Sequence, residues 1–364
     1  MSSPLPTRRE FAATLARSAL LASLAPAIIS RSSAQPSAPN SASASPSPSA
    51  PPRRAFPLPP FAKDVRLADV RMRDACVLAE PATHTYTIIA SAGRRVRAYQ
   101  SKDLLTWEGP TVIFTTPDDL WPGVDFRSIW APELHRYKDK YYLFLTFDTA
   151  TPFSEQWRNW LPRVRRASQV LVGDSPLGPF KPFAPRPTLP EDMMTLDGTL
   201  WEEDGVPYMI YCHEWVQIVN GTVEMIALTP DLSATVGEPT RLFFGNDAPW
   251  GRRSDQYGCW VTDGPYLHTS KSGKLFMIWS SGGAHGYTTG VAISESGKLK
   301  GPWRQQAEPL YADDGGHGMI FQRFDGQLML VLHSPNKATE RARFFELEDT
   351  GETLRITLPF PTAP

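Results

Sequence analysis

Ile129-Trp-Ala-Pro-Glu-Leu-His135, a polar turn at Lys138-Asp-Lys140, then the aromatic run Tyr141-Tyr-Leu-Phe-Leu-Thr-Phe147: the chain writes this pattern five times. Each copy opens on an acidic or His-bearing strand, turns on polar residues, and continues into an aromatic-rich second strand. The second strands read Thr83–Ser91, Lys138–Phe147, Asp204–Cys212, Ser272–Ser281 and Asp325–His333. Asp204-Gly205, Ser272-Gly273 and Asp325-Gly326 stand just inside three of them, where a tight hairpin between strands one and two is expected. Closing stretches such as Gly173–Phe180, Thr229–Pro239 and Ser294–Trp303 end each copy in Ser, Asp or Gly-Pro. No segment carries a long helical period, and the repeat recurs at roughly 50 to 70 residues, the signature of propeller blades. The expected fold is all-β: a five-bladed β-propeller whose blades are four-stranded antiparallel sheets. The blades are placed at Val65–Pro110, Phe126–Phe183, Thr195–Phe244, Trp260–Gln306 and Gly315–Leu358. A propeller converges the starts of its innermost strands on one central depression, so the residues that open the copies become candidates for a site.

Before the repeats stand two stretches of other character. Residues 1–34 carry Arg8-Arg9, Phe11 and a moderately apolar run broken by Arg17 and Pro26, and end in Ser32-Ser33-Ala34. This composition predicts a twin-arginine export signal that is processed and not kept as an anchor, and hence a periplasmic or secreted protein with no membrane attachment beyond export. Residues 35–60 are almost entirely Ser, Pro and Ala, too poor in apolar surface to offset the entropy of ordering, and read as a disordered linker. Residues 61–364 remain for the propeller. With a net charge of −1 and no Lys/Arg block interleaved with aromatics, nucleic acid is excluded as a partner. Three cysteines, Cys76, Cys212 and Cys259, show no CxxC spacing, so neither a zinc site nor a disulfide framework is indicated, and buried thiols are expected. Eleven tryptophans serve mostly as core, with some available as platforms for the C–H faces of sugars. The Arg- and Trp-rich insertion Phe153–Arg166, the segment Trp121–Ser128 and the loop Asn246–Gly258 are expected around the rim of the depression.

The copies open on Arg71-Met-Arg-Asp74, Ile129–His135, Thr195-Leu-Asp-Gly198, Val261-Thr-Asp-Gly-Pro265 and Gly315-Gly-His-Gly-Met319. One aspartate at such a place is more often a turn residue than a functional group. Carboxylates and a histidine recurring at the same place of a repeat are not explained by turns. Acidic groups crowded in a buried centre are costly unless used, because they force one another's pKa values apart.

Asp74 in Arg-Asp-Ala, the stretch Trp130–His135, Asp197, Asp263-Gly-Pro and Gly-Gly-His317-Gly together resemble glycoside hydrolase family 43, over essentially the whole repeat region. The resemblance implies a five-bladed propeller of inverting glycosidases, chiefly α-L-arabinofuranosidases, arabinanases and β-xylosidases. It makes Asp74 the general base that deprotonates water and Asp197 the residue that orients the acid and tunes its pKa. It makes Trp130, Glu133, His135 and His317 substrate-side groups. Where the family carries Glu-Gly-Pro this chain has Asp263-Gly-Pro, one methylene short of the leaving oxygen. Glu214, flanked by His213 and Trp215 at the end of blade three's second strand, is the first choice for general acid, because that strand returns antiparallel to the pocket face. Asp263 is its rival, and Glu133 a third candidate that the resemblance makes a structural or substrate hydrogen-bonding group instead. His213 and Trp215 are added to the substrate-binding set.

Inverting hydrolysis needs one carboxylate to activate water and one carboxyl to protonate the leaving oxygen, held roughly 6.5–9.5 Å apart. No cofactor is required by that chemistry, and a structural calcium near His317 is the one metal entertained. The expectation is an exo-acting inverting enzyme that removes terminal pentose or furanose units from an oligo- or polysaccharide. An α-L-arabinofuranosidase acting as a monomer is the first form of it, with a β-xylosidase or β-galactofuranosidase as alternatives. A non-catalytic glycan-binding propeller is the alternative of another class. A fructosyl hydrolase lacks its opening motif here.

Overall fold

A computed structural model describes residues 57–361. The expected signal, and the linker up to residue 56, lie outside the described residues. The rest forms five antiparallel sheets in chain order, with the strands of each following one another from the centre outward. Their first strands are Cys76–Glu80, Phe126–Tyr137, Thr195–Glu203, Asp263–Thr269 and Gly316–Gln322, and each contacts the next, the last returning to the first. That ring is a five-bladed β-propeller. Blade one has a fifth strand, Ala62–Val65, paired outside Trp107–Thr115. The polar hairpin signals fall where they were expected: the second strands run Thr85–Ala92, Lys140–Thr149, Val206–His213, Leu275–Gly283 and Leu328–Ser334.

These second strands lie buried between blades, and their period of two distributes them to opposite neighbours. Met209 and Tyr211 pack with Phe144 and Tyr142 of blade two, while Ile210 and Cys212 pack with Met277 and Trp279 of blade four. Phe276 and Ile278 turn the other way, onto Ile320, Leu330 and Leu332 of blade five. Each such side chain contributes about 1.5–3 kcal/mol by leaving water. Cys76, Cys212 and Cys259 are buried and free. The ring closes through the segment before blade one, which lies on blade five. Met72 N–H donates to the Glu340 carbonyl at 3.1 Å, and Arg71 Nη2 to Glu340 Oε1 at 2.7 Å.

One repeated backbone irregularity shapes the centre. In blades two to five the first strand advances three residues while its partner advances two. The register runs from Trp130↔Thr146 to Glu133↔Phe144 and from Leu196↔Cys212 to Thr199↔Ile210. It then runs from Asp263↔Ser280 to Tyr266↔Ile278 and from Gly316↔His333 to Met319↔Val331. Each is a β-bulge, and the residue after its start is left-handed: Ala131 (φ 40°), Asp197 (58°), Gly264 (50°) and His317 (50°). Asp74, two residues before the first strand of blade one, takes the same turn (φ 48°).

A polar link across blades holds three of these turns. Asp197 N–H donates to Thr146 Oγ1 of blade two at 2.9 Å, and His317 N–H to Ser280 Oγ of blade four at 2.9 Å. Asp74 N–H donates to His333 Nδ1 of blade five at 3.4 Å. A left-handed Asp or His is strained by itself, and the inter-blade donation fixes it. Asp74, Asp197 and His317 therefore occupy equivalent places. Asp263 does not: it stands one residue earlier, and Gly264 takes the turn.

Candidate active site

The turns deliver their side chains into a depression of about 410 Å³, within the range of small-ligand pockets. Arg73, Asp74, Trp130, Asp197, Glu214, Trp215, Asp263, Tyr287 and His317 are among its lining residues. Asp74 and Asp197 come from the turns of blades one and three, with His317 between them. Its Nδ1 lies 3.5 Å from Asp74 Oδ1 and 3.6 Å from Asp197 Oδ2. Asp74 Oδ1 also faces His333 Nδ1 at 3.1 Å. His333 Nε2 stands 3.2 Å from Asn336 Oδ1, which in turn accepts from Arg73 Nη1 at 2.6 Å. Asp197 Oδ2 accepts the N–H of Gly264 at 2.9 Å.

Electrostatics separates these carboxyls. Burial pushes the pKa of Asp74 up, but His317, His333 and Arg73 outweigh it and hold it well below the ordinary carboxylate value. Burial and then the charges of Asp263 and Asp74 drive Asp197 well above that value. Asp263 is raised by burial against the opposing pull of His317 and of the Tyr287 hydroxyl, which donates to its Oδ2 at 2.9 Å. Glu214 is raised too: its burial exceeds the effect of Arg166, and Asp263 and Asp148 add to it. The pocket thus pairs one carboxyl whose pKa is held down with three whose pKa is raised. General acid–base chemistry asks for such a division.

Glu214 follows the second strand of blade three and precedes a single helical turn, Trp215–Ile218. Its N–H donates to the Met194 carbonyl at 2.8 Å, which anchors the turn. Beside it Trp215 meets Tyr257 with ring centroids 5.4 Å apart, and Trp160 with centroids 6.1 Å apart. The insertion Phe153–Arg166 and the loop Asn246–Gly258 therefore meet at one wall of the pocket. In the segment Trp121–Ser128, expected at the rim, Trp121, Val124 and Phe126 are core while Pro122, Gly123, Asp125 and Arg127 are exposed: the Trp121 ring packs on Phe126 and Phe147, and its Nε1 donates to Gln169 Oε1 at 2.9 Å.

Residues 69–357 match the family model described as Glycosyl hydrolases family 43. The chain belongs to that family. Among solved structures, this family 43 chain resembles one described as an endo-arabinase from Bacteroides thetaiotaomicron VPI-5482. The two share 35% identity at a TM-score of 0.70, over 79% of this chain and 98% of that one. It is 23% identical to Alpha-L-arabinofuranosidase 43 of Humicola insolens, over 66% of this chain and 53% of that protein. It is 24% identical to Alpha-L-arabinofuranosidase B of Pyricularia oryzae, over 57% of this chain and 42% of that protein. The chain thus spans about half the length of these curated relatives. Membership of the family and its glycosidase relatives support hydrolysis of an O-glycosyl bond as the chemistry.

Seven of the ten residues singled out in the sequence line the pocket of the family 43 propeller: Asp74, Trp130, Asp197, Glu214, Trp215, Asp263 and His317. Three lie outside its lining. Glu133, past the bulge of blade two, is buried and faces His135 Nε2 at 2.8 Å, while the His135 ring packs on Phe144. His213 pairs with Gln217 Oε1 at 2.8 Å and faces Glu224 Oε1 at 3.5 Å. Alternation explains it: residues next to a pocket-facing one point to the other side of the strand. His317 is committed to the two aspartates. Among the described residues no group of three or more His, Cys, Asp or Glu is arranged to hold a metal ion.

Tyr287, His333, Arg73, Arg166 and Asp148 were not singled out. Two of them had a signal in the repeat. His333 pairs with the residue that starts the bulge, as Thr146, Cys212 and Ser280 do in their blades, and Asp148 stands two residues past Thr146 as Glu214 stands two past Cys212.

Proposed function

We propose that the chain is an exo-acting, inverting glycosidase that releases terminal furanose or pentose units, first of all an α-L-arabinofuranosidase. The observation that carries this reading is the split of the carboxyls in one pocket, the pKa of Asp74 held down and that of Glu214 raised, in a member of family 43. Asp74 takes a proton from water as the water oxygen bonds to the anomeric carbon. The glycosidic C–O bond breaks on the opposite face, and Glu214 gives its proton to the departing oxygen. Asp197, tied to the Gly264 N–H, orients the cluster and sets its proton count. Trp130 and Trp215 offer faces to the sugar, and His317 keeps the two aspartates apart. Asp263 is the weaker choice of acid: it is shorter, and it is already engaged by the Tyr287 hydroxyl. The chemistry uses carboxyl groups of the chain and assigns calcium no step.

Names of the two arabinofuranosidase relatives support arabinose as the sugar, and the wall of Trp160, Trp215 and Tyr257 supports exo action. The likeness to an endo-arabinase favours a second reading, cleavage inside a chain, and the products from linear arabinan separate the two. Export by the twin-arginine route belongs to the same proposal, supported by Arg8-Arg9 and the apolar run that follows.

The test is hydrolysis of an aryl α-L-arabinofuranoside by the wild type and by Asp74→Asn. The variant is expected to lose about 10²–10⁴-fold in kcat with its melting temperature kept, the range of general acid–base catalysis. A wild type that binds arabino-oligosaccharides without cleaving them, or an Asp74→Asn protein of full activity, would return the propeller to a glycan-binding role.

A further inference from the structure

Arg166 is one guanidinium serving two carboxylates, and both stand at the same place of adjacent blades. Its Nε and Nη2 donate to Asp148 Oδ1 at 3.1 and 2.7 Å, while Nη1 donates to both oxygens of Glu214. Its plane lies over the Trp130 ring, 3.9 Å from the centroid. All three side chains are nearly shut off from water, exposed by 11% at Arg166, 9% at Asp148 and 5% at Glu214. Two buried negative charges against one positive charge leave the trio a proton short of neutrality, and burial favours the neutral count. Asp263, also negative, acts on Glu214 as well and raises its pKa further. His213, its neighbour in sequence, faces Gln217 and Glu224. Of the two carboxylates Glu214 lines the pocket and Asp148 does not.

Resting on the reading of Glu214 as the acid, we propose that Asp148 and Arg166 are its positioning residues: the trio holds one proton and presents it to the substrate from Glu214. In the structure Arg166 Nη1 holds both Glu214 oxygens; with the proton on, one oxygen stays its acceptor and the other turns its O–H to the pocket. Trp130 fixes the guanidinium plane, so the sugar platform and the proton donor move as one unit. When Glu214 gives its proton to the leaving oxygen, Arg166 is already in place to stabilise the carboxylate that remains. No reorganisation of solvent is needed at that moment.

The trio predicts opposite pH shifts from two charge-removing substitutions. Asp148→Asn leaves the whole charge of Arg166 to Glu214, so Glu214 ionises more easily. The alkaline limb of kcat/KM then falls by about one pH unit. Arg166→Gln removes the cation and moves that limb up, with a lower kcat because the carboxyl is no longer held. A purely structural part lowers activity at every pH and moves neither limb. If one variant fails to fold, the other still carries a shift of defined sign.

Glu214→Gln, compared on aryl and on sugar leaving groups, tests the underlying reading separately. The acid reading expects a much larger loss on the sugar leaving group, because an aryl oxide departs with little help from an acid. If that selectivity is seen and the limbs of Asp148→Asn and Arg166→Gln stay at the wild-type pH, the trio is overturned and Glu214 keeps its role. If Glu214→Gln shows no leaving-group selectivity, the acid reading falls and the trio falls with it.

Discussion

Gly264 meets a tight steric demand at the centre of the propeller. A Cβ there would lie 2.8 Å from His317 Cγ and 2.9 Å from Cδ2, and the backbone is left-handed with φ 50°. Gly264→Ala should therefore push the histidine from its place between the aspartates. We expect it to cost about 1–3 kcal/mol, the range for overpacking, with a lower melting temperature and a lower kcat. Asp197 has the opposite character, stability given up at a functional place. Its folded-state pKa stands above the unfolded one, so its favourable contribution holds only below the unfolded value and is lost as pH rises through the folded one. Asp197→Asn keeps an acceptor for the Gly264 N–H and removes the charge. Thermal melts across pH should show the variant more stable than wild type at neutral pH by about 2–4 °C, with the difference closing on acidification, while activity is lost. At this scale Asp74, Asp197 and His317 were legible because they recur at one place in a repeat. Arg166 and Tyr287 were not: they come from outside the opening strands, and only the folded chain brings them to the carboxyls.

The hairpins were the most legible elements, because a Gly after Asp or Ser marks a turn that few other residues make. The bulges were hidden. One extra residue in a strand leaves no compositional mark, since Ala131, Asp197, Gly264 and His317 share only a backbone angle. Missing them placed Asp263 on the same footing as Asp74 and Asp197, although Gly264 occupies the equivalent position. Glu133 and His135 stand past the bulge, down the strand from Trp130, and His213 faces the opposite way from its neighbour Glu214, so none of the three lines the pocket. The insertion of blade two and the loop before blade four belong to this scale as well. Trp160 Nε1 donates to the Val216 carbonyl at 2.7 Å, and its ring touches Trp157, Trp215 and Tyr257. Trp160→Ala should loosen this wall. Chromatography of linear arabinan digests is expected to show short oligosaccharides beside arabinose for the variant, and arabinose alone for the wild type.

Five copies of one pattern determine the whole molecule, since each blade leaves both faces of its second strand apolar and only neighbouring blades can cover them. What the repeat did not disclose is how the ring is closed. Blade one gains an outer strand from the chain before it, and polar contacts of Arg71, Met72 and Arg341 tie that segment to blade five. Closure brings His333 of the last blade under Asp74 of the first, so the proposed base is completed by the two ends of the propeller. In that closed ring, on the proposed mechanism, Asp74 and Glu214 face each other across the anomeric carbon. A crystal structure of Asp74→Asn with an uncleaved arabino-oligosaccharide tests it most directly. The expected result is a Glu214 oxygen within hydrogen-bond distance of the glycosidic oxygen, and a water at residue 74 on the opposite face of the sugar. Asp263 at the glycosidic oxygen, with Glu214 turned away, would contradict it.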